Sequence, residues 1–350
     1  MDLEQFSSVH GADWKVYQQA KARWDSLAKP LGSLGRLEIA ISRIAALTGC
    51  VDVQIKKRTL AVFCADNGVV AQGVSQSDAS VTEAVARALG KGCSTVNYML
   101  RGLDCAVLPV NVGMVSSASL DGVLFRRVRF GTEDMTLGPS MTRSDCCRAM
   151  EVGFRLAQDL HSQGSNLLLA GEMGIGNTTT SAAVLSVLLD RSPEELTGRG
   201  AGLSPEGLVR KRLAIRRALA INRPDPADPI DVLTKVGGLD LAALCGFCLG
   251  GAACRCPVLL DGLITCTAAL CAIRLCPLAR DALLASHRTA EPAGDLVLSA
   301  LGVEPLLTAG LRLGEGSGAA AALPLLDMAL RVYHSGNTFD SIGIDAYQPL

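Results

Sequence analysis

The sequence predicts an α/β fold: a parallel sheet flanked by helices, with a small helical subdomain built from the two ends of the chain. Three observations predict it. Short apolar runs alternate with longer helix-like stretches, which is how strands joined by crossover helices read. The runs are Thr59–Ala65, Ala106–Val110, Asn166–Ala170 and Pro257–Leu260. Three of them end on unusual residues, at Asp66, Gly171-Glu172 and Asp261-Gly262. The carboxyl ends of parallel strands are where such sheets bind ligands. Lastly, hydrophobic residues form 49% and charged residues 19% of the 350-residue chain, which suits a large packed core and excludes a disordered one.

Taken in chain order, residues 1–50 and about 314–350 lie outside the strand–helix alternation and are assigned to the helical subdomain. Residues from about 51 to 313 are assigned to a large α/β domain. Asp66-Asn67-Gly68 follows the first run as a turn or as a ligand contact. The run ending at Ala170 leads into the helical pattern Ser181–Leu189, and a second helical pattern covers Leu208–Ala220. Between that helix and the last strand, Arg223–Asp231 carries three prolines and three aspartates and reads as a loop.

Composition also narrows the partners. A net charge of −1 with no long Lys/Arg run argues against nucleic acid. Arg210-Lys211-Arg212 with Arg216-Arg217 reads as the solvated face of a helix. The first fifteen residues lack the basic start and apolar core of a secretory signal, so a cytoplasmic location is expected. Asp240, Arg255, Asp261 and Arg274 interrupt the apolar stretch Val236–Cys276, so no membrane span is expected. Thirteen cysteines raise the question of zinc, above all Cys245, Cys248, Cys254 and Cys256. Their setting among Ala, Leu and Gly, with Cys266, Cys271 and Cys276 spread similarly, favours buried reduced thiols. No metal and no cofactor are expected.

The richest motif is Gly171–Thr180, which follows a strand and opens a helix. Such a loop offers backbone N–H groups and the positive end of the helix dipole to an anion. Gly174, Gly176, Asn177, Thr178 and Thr179 are its candidate phosphate contacts. Asn177 stands where a P-loop needs Lys, and Thr179 where a dinucleotide fingerprint needs its third glycine. These near-matches indicate a single phosphate and neither ATP nor NAD. A second cluster, Gly198–Gly202, precedes the helix carrying Lys211, so Gly200, Gly202 and that cation are candidates for the same phosphate. In Leu313-Gly-Glu315-Gly-Ser-Gly318 a lone carboxylate sits among glycines, open to a planar ligand or simply stabilised by a helix dipole. His10, His161, His287 and His334 share no spacing and receive no role.

Together these segments resemble the nicotinate-nucleotide–dimethylbenzimidazole phosphoribosyltransferases, which activate the lower-ligand base of cobamides. The resemblance spans nearly the whole chain. It includes Lys29–Glu38, Asp66–Gly68, Gly73-Val-Ser75 with Val81-Thr82, Gly171–Thr180, Gly198–Gly202 and Val236–Gly238. It continues through Asp261-Gly262, Ala285–Arg288, Ala290–Pro292 and Leu313–Gly318.

The resemblance implies a Rossmann-type sheet, a homodimer and transfer of phosphoribose from nicotinate mononucleotide to a benzimidazole-type base. It implies Glu315 as the catalytic base and Glu172 in the active site, with Lys211 and Gly174–Thr179 near the phosphate. Asp261 and Ser286 join the ribose-phosphate set. Met173, Ser75, Ser77, Asp78 and Ser80 belong by the same resemblance to the base pocket. The chain departs from the family at Asn67, where His is frequent, and at Gln76–Ser80, where Tyr-Pro is frequent. The identity of the base stays open among 5,6-dimethylbenzimidazole, other benzimidazoles, purines and phenols. A nicotinamide-dependent oxidoreductase and an inactive nucleotide-binding paralogue are the competing readings.

Overall fold

A computed structural model describes residues 9–347. Seven strands form one sheet: β1 Arg58–Ala65, β2 Cys105–Gly113, β3 Leu124–Phe125, β4 Leu167–Met173, β5 Val258–Leu260, β6 Leu283–His287 and β7 Pro305–Leu307. Their order is β3-β2-β1-β4-β5-β6-β7, and every neighbouring pair is parallel. The winding direction reverses between β1 and β4, which opens a crevice at the carboxyl ends of those strands.

Period two explains why the sheet is apolar on both faces. In β1, Leu60, Val62 and Cys64 face one way and Ala61, Phe63 and Ala65 the other, and all eight strand residues are buried. The first set joins Leu167, Leu169 and Leu259 in a cluster shared with the helices Trp14–Ser26, Arg36–Thr48 and Ser317–Tyr333. Trp24 and Tyr333 stack in that cluster with ring centroids 4.8 Å apart. The helices from the two chain ends thus cover one face of the sheet. The second set joins Leu168, Ala170, Val258 and Leu260 against the helices Arg143–Ser162, Leu239–Ala253 and Leu263–Leu275.

All four apolar runs form strands, with shifted ends. β4 extends three residues past Ala170 because Phe63 and Cys64 of β1 go on pairing with Glu172 and Met173. Glu172 therefore belongs to the strand and not to the turn after it. The sequence does not announce β3, β6 or β7; two or three residues, as in β3 and β7, carry no readable alternation. The helix expected from Ser181 starts at Asn177. The loop expected over Arg223–Asp231 ends at Asp228, which caps a helix Pro229–Val236. A proline suits that first helical position because its missing N–H has no partner there anyway. No helix among the described residues is long and apolar enough to cross a membrane.

Candidate active site

The strand ends at the crevice enclose a cavity of about 280 Å³. Glu172 and Met173 from β4, the loop Gly174–Thr178, Asp261 after β5 and His287 at the end of β6 line its floor. Ser75, Gln76 and Ser77 line one wall, Arg199 and Gly200 another, and Arg312–Glu315 a third. Residues distant in sequence converge here because parallel strands all deliver their carboxyl ends to the same edge.

Glu315 has the most unusual backbone in the site. It is a non-glycine residue at φ 61°, in the left-handed region. Such a conformation costs about 1–3 kcal/mol and persists only where the surroundings enforce it. Gly314 at φ 90° and Gly316 at φ 84° flank it, and the Glu315 N–H donates to the Glu172 carbonyl at 3.2 Å. Added Cβ atoms would stand 2.5 Å from Glu172 Oε1 at Gly314, and would run into the Leu60 side chain at Gly316. Glycine is required on both sides for the carboxylate to be held there. Glu315 Oε2 is buried with no hydrogen-bond partner in the protein. Burial raises its pKa, and the Val96 amide and Ser94 hydroxyl pull it partly back.

Three more carboxyls stand close by. Asp261 accepts from the amides of Gly316 at 3.0 Å and Gly318 at 2.6 Å, so it caps the helix that follows Glu315. Burial still lifts it to about 7. Glu172 accepts from the Asn177 side chain, whose Nδ2 also donates to Asp240 Oδ2 at 3.1 Å. Burial first and the Asp240 charge second push Glu172 up to about 8. Burial raises Asp240 to about 6.

The opposite end of the cavity is cationic. Lys211 is buried, and its Nζ donates to Thr178 Oγ1 at 2.7 Å and to the Gly198 carbonyl at 3.2 Å. Both acceptors are neutral, and an ammonium has a third hydrogen to give. Burial depresses Lys211 to about 8, and the charge of Glu291 offsets only part of that. A Cβ at Gly200 would lie 2.9 Å from Thr178 Oγ1 and 3.5 Å from Lys211 Nζ. Gly200 thus leaves the approach to this corner open.

The structure gathers Glu315, Glu172, Asp261, Met173, Gly174, Gly176, Asn177, Thr178, Gly200, Ser75 and Ser77 around one cavity. Lys211 reaches that corner through Thr178. Other predicted residues stand elsewhere. Thr179 is fully buried behind the loop, and its amide is bonded to Gly176 O at 2.9 Å. Ser286 is buried behind Asp261, whose carbonyl it bonds at 3.2 Å. Gly202 presents its carbonyl to the Gln76 side chain. Asp78 and Ser80 are exposed; Asp78 caps the helix Ala79–Gly90, and the Ser80 N–H donates to its Oδ1 at 2.9 Å. The Asn177 amide, expected on a phosphate, is committed to two carboxyls.

Sequence reasoning missed Asp240, His287, Arg199 and Arg312. Asp240 had one signal, a lone acid opening an otherwise apolar helix just after Gly237-Gly238. His287 lies 3.9 Å from Asp261 Oδ1, and burial lowers its pKa. Only the meeting of β5 and β6 brings that pair together.

An open parallel sheet thus brings a carboxylate with one unpartnered oxygen to a cavity that has a buried lysine at its edge. Residues 9–344 match the family model described as Phosphoribosyltransferase. Two similar proteins are named nicotinate-nucleotide–dimethylbenzimidazole phosphoribosyltransferase. The one from Acetivibrio thermocellus is 46% identical over 93% of this chain and 93% of its own length. The one from Ruminiclostridium cellulolyticum is 44% identical over 99% of each. The crystal structure of CobT from Thermus thermophilus superposes with a TM-score of 0.90 at 41% identity, covering 95% of this chain and 100% of that one. The chain belongs to the nicotinate-nucleotide–dimethylbenzimidazole phosphoribosyltransferase family.

Proposed function

We propose that this chain transfers the 5-phosphoribosyl group of nicotinate mononucleotide to 5,6-dimethylbenzimidazole or a related base, for the nucleotide loop of cobamides. The observation that carries the reading is Glu315, a buried carboxylate with one oxygen unpartnered, held in a left-handed conformation between glycines at the cavity. The family names given above fit it.

The chemistry needs little from the protein. The bond broken joins C1′ of ribose to a pyridinium nitrogen. Its electron pair returns to nitrogen, and nicotinate leaves with a neutral ring. The ring nitrogen of the incoming base attacks C1′ from the opposite face, which gives the α-riboside 5′-phosphate. The N–H proton that the base must shed passes to Glu315. Lys211, Thr178 and Gly200 hold the single phosphate, a charge-assisted contact in a buried corner. The Glu315 carboxylate, before it takes that proton, favours the positive charge that develops on the sugar as the pyridinium departs. Neither metal nor cofactor enters these steps.

Three attributes rest on the resemblance and on the pattern of the chain: a homodimer, a cytoplasmic location, and a division into a helical unit of residues 1–50 plus about 314–350 and a larger unit between. No observation favours a dinucleotide oxidoreductase or an inactive paralogue.

The test is incubation of the purified protein with nicotinate mononucleotide and a panel of benzimidazoles, purines and phenols, with mass detection of the ribotide. We expect one base class to give ribotide and free nicotinate in equal amounts. No ribotide from any base would overturn the reading.

A further inference from the structure

Glu172, Asn177 and Asp240 form a chain that the reaction as written does not use. Asn177 Nδ2 has two hydrogens, one directed at Glu172 Oε2 and the other at Asp240 Oδ2. Asp240 Oδ1 is itself tied to the Leu241 N–H at 2.9 Å, at the first turn of the helix Leu239–Ala253. With two carboxyls to face, the Asn177 amide can present only its nitrogen, because its oxygen would meet acceptors on both sides. Glu172 Oε2 is therefore always an acceptor. When Glu172 is neutral its proton sits on Oε1, the oxygen beside Gly314 at the cavity wall.

We propose that Asp240 is a positioning residue: through Asn177 it fixes the proton of Glu172 on the oxygen that faces the cavity, so that Glu172 donates a hydrogen bond to the ribose of the bound nucleotide. The identity of that ligand rests on the reading under Proposed function. The hydrogen-bond chain does not.

The surroundings agree with a neutral Glu172. The groups facing it are Asp240 from the helix Leu239–Ala253, Asp261 after β5, Glu315 ahead of the helix Ser317–Tyr333, and the buried Cys64 thiol of β1. None is a cation, so only the Asn177 amide favours a charge on Glu172, and burial together with the Asp240 charge outweighs it. Holding Glu172 neutral also spares Glu315 a like-charged neighbour. Environments that push two carboxyls apart are how one site keeps a donor and a base together.

The experiment reads Glu172 directly and the turnover separately. In the protein without substrate, infrared difference spectra across a pH titration should show a buried protonated carboxyl near neutral pH. Glu172→Gln should delete that signal. Asp240→Asn keeps the shape but removes the charge that raises Glu172, so the midpoint should move to lower pH. Where turnover is measurable, Asp240→Ala frees the Asn177 amide to rotate. We expect kcat to fall on the order of 10²-fold, the loss typical of misplaced groups, with little change in KM for the nucleotide. Asp240→Asn should recover most of that kcat, with its alkaline limb at lower pH than in the parent. A Glu172 signal that titrates identically in Asp240→Asn would overturn the proposal, as would a parent protein with no signal to delete. A parent with the infrared behaviour but no transferase activity would sink the functional reading and leave the hydrogen-bond chain standing.

Discussion

The two ends of the cavity both bury ionisable groups, and burial drives each toward its neutral form. At the acidic end Glu172 rises to about 8 and Asp261 to about 7. At the other end Lys211 falls to about 8. The difference lies in what each end has been given to relieve it. Asp261 has two backbone amides and Glu172 a side-chain amide, whereas Lys211 has only neutral oxygens and a distant carboxylate. The corner at Lys211 is thus left with an ammonium hydrogen that the two oxygens do not take up. The acidic end is largely complete by itself, except at Glu315, whose second oxygen has no partner.

The largest effect expected from that contrast is at Glu315. Glu315→Gln keeps the size and the capacity to accept a hydrogen bond but cannot take a proton. General-base catalysis is worth about 10²–10⁴-fold, so kcat should fall by about that factor while KM for nicotinate mononucleotide hardly changes. Near-normal turnover in Glu315→Gln, together with loss in Glu172→Gln, would move the base to Glu172.

The corner around Lys211 should respond through binding. A hydrogen bond to a charged group is worth about 1.5–3 kcal/mol, so Lys211→Ala should raise KM for the nucleotide by roughly ten- to a hundredfold. The sign with pH follows from the depressed pKa. Lys211 carries its charge below about 8 in the empty site, so nucleotide affinity should weaken as pH climbs past that value. Isothermal titration of the parent from about pH 7 to 9, a window that brackets the lysine's depressed value, checks this, and Lys211→Ala should lose that slope. A slope unchanged in the variant would assign the dependence to another group.

How much of this was legible in the sequence differs between the two ends. The glycine frames of Glu315 and of Gly174–Thr178 were visible because glycine marks backbone that side chains would block. The strand ends at Asp66, Glu172 and Asp261 were visible because apolar runs stop there. The role of Asn177 was not, since a residue at a helix start reads as a cap or an anion donor until a partner is known. Its partner Asp240 lies 63 residues on, on a helix that packs beside Asn177's own on one face of the sheet, and that packing cannot be read from one sequence. His287 was invisible for the same reason: it needs β5 beside β6.

A smaller effect is expected in the wall formed by Ser75, Gln76 and Ser77. The wall separates what resemblance had joined, because these three line the cavity while Asp78, as cap, and Ser80, bonded to it, open a helix outside it. Ser77→Ala or Gln76→Ala should change the ranking of bases in a competition assay by a few-fold, in line with a contact worth about 1 kcal/mol. Asp78→Ala should leave the ranking alone and cost only cap stability, about 1 kcal/mol. An identical ranking in all three variants would remove this wall from base selection.

The smallest effect is expected where the sequence looked most like a metal site. Zinc is bound by thiolates, so a zinc cluster needs cysteines whose protons leave readily. Cys245 and Cys248 lie buried in the helix Leu239–Ala253, and burial pushes both thiols well above their ordinary value. Cys254 is raised to about 11, and its Sγ donates to the Gly250 carbonyl at 3.1 Å, a contact that needs the proton in place. Cys256 turns away toward the Ser165 carbonyl at 3.6 Å. Among the described residues no three His, Cys, Asp or Glu side chains gather to hold an ion. Dialysis against a strong chelator should therefore leave both turnover and melting temperature unchanged within error, and elemental analysis should find no stoichiometric metal. One zinc per chain, or turnover lost to the chelator and restored by zinc, would make these thiols ligands and leave the neutral, buried reading of the cysteine-rich helices without support.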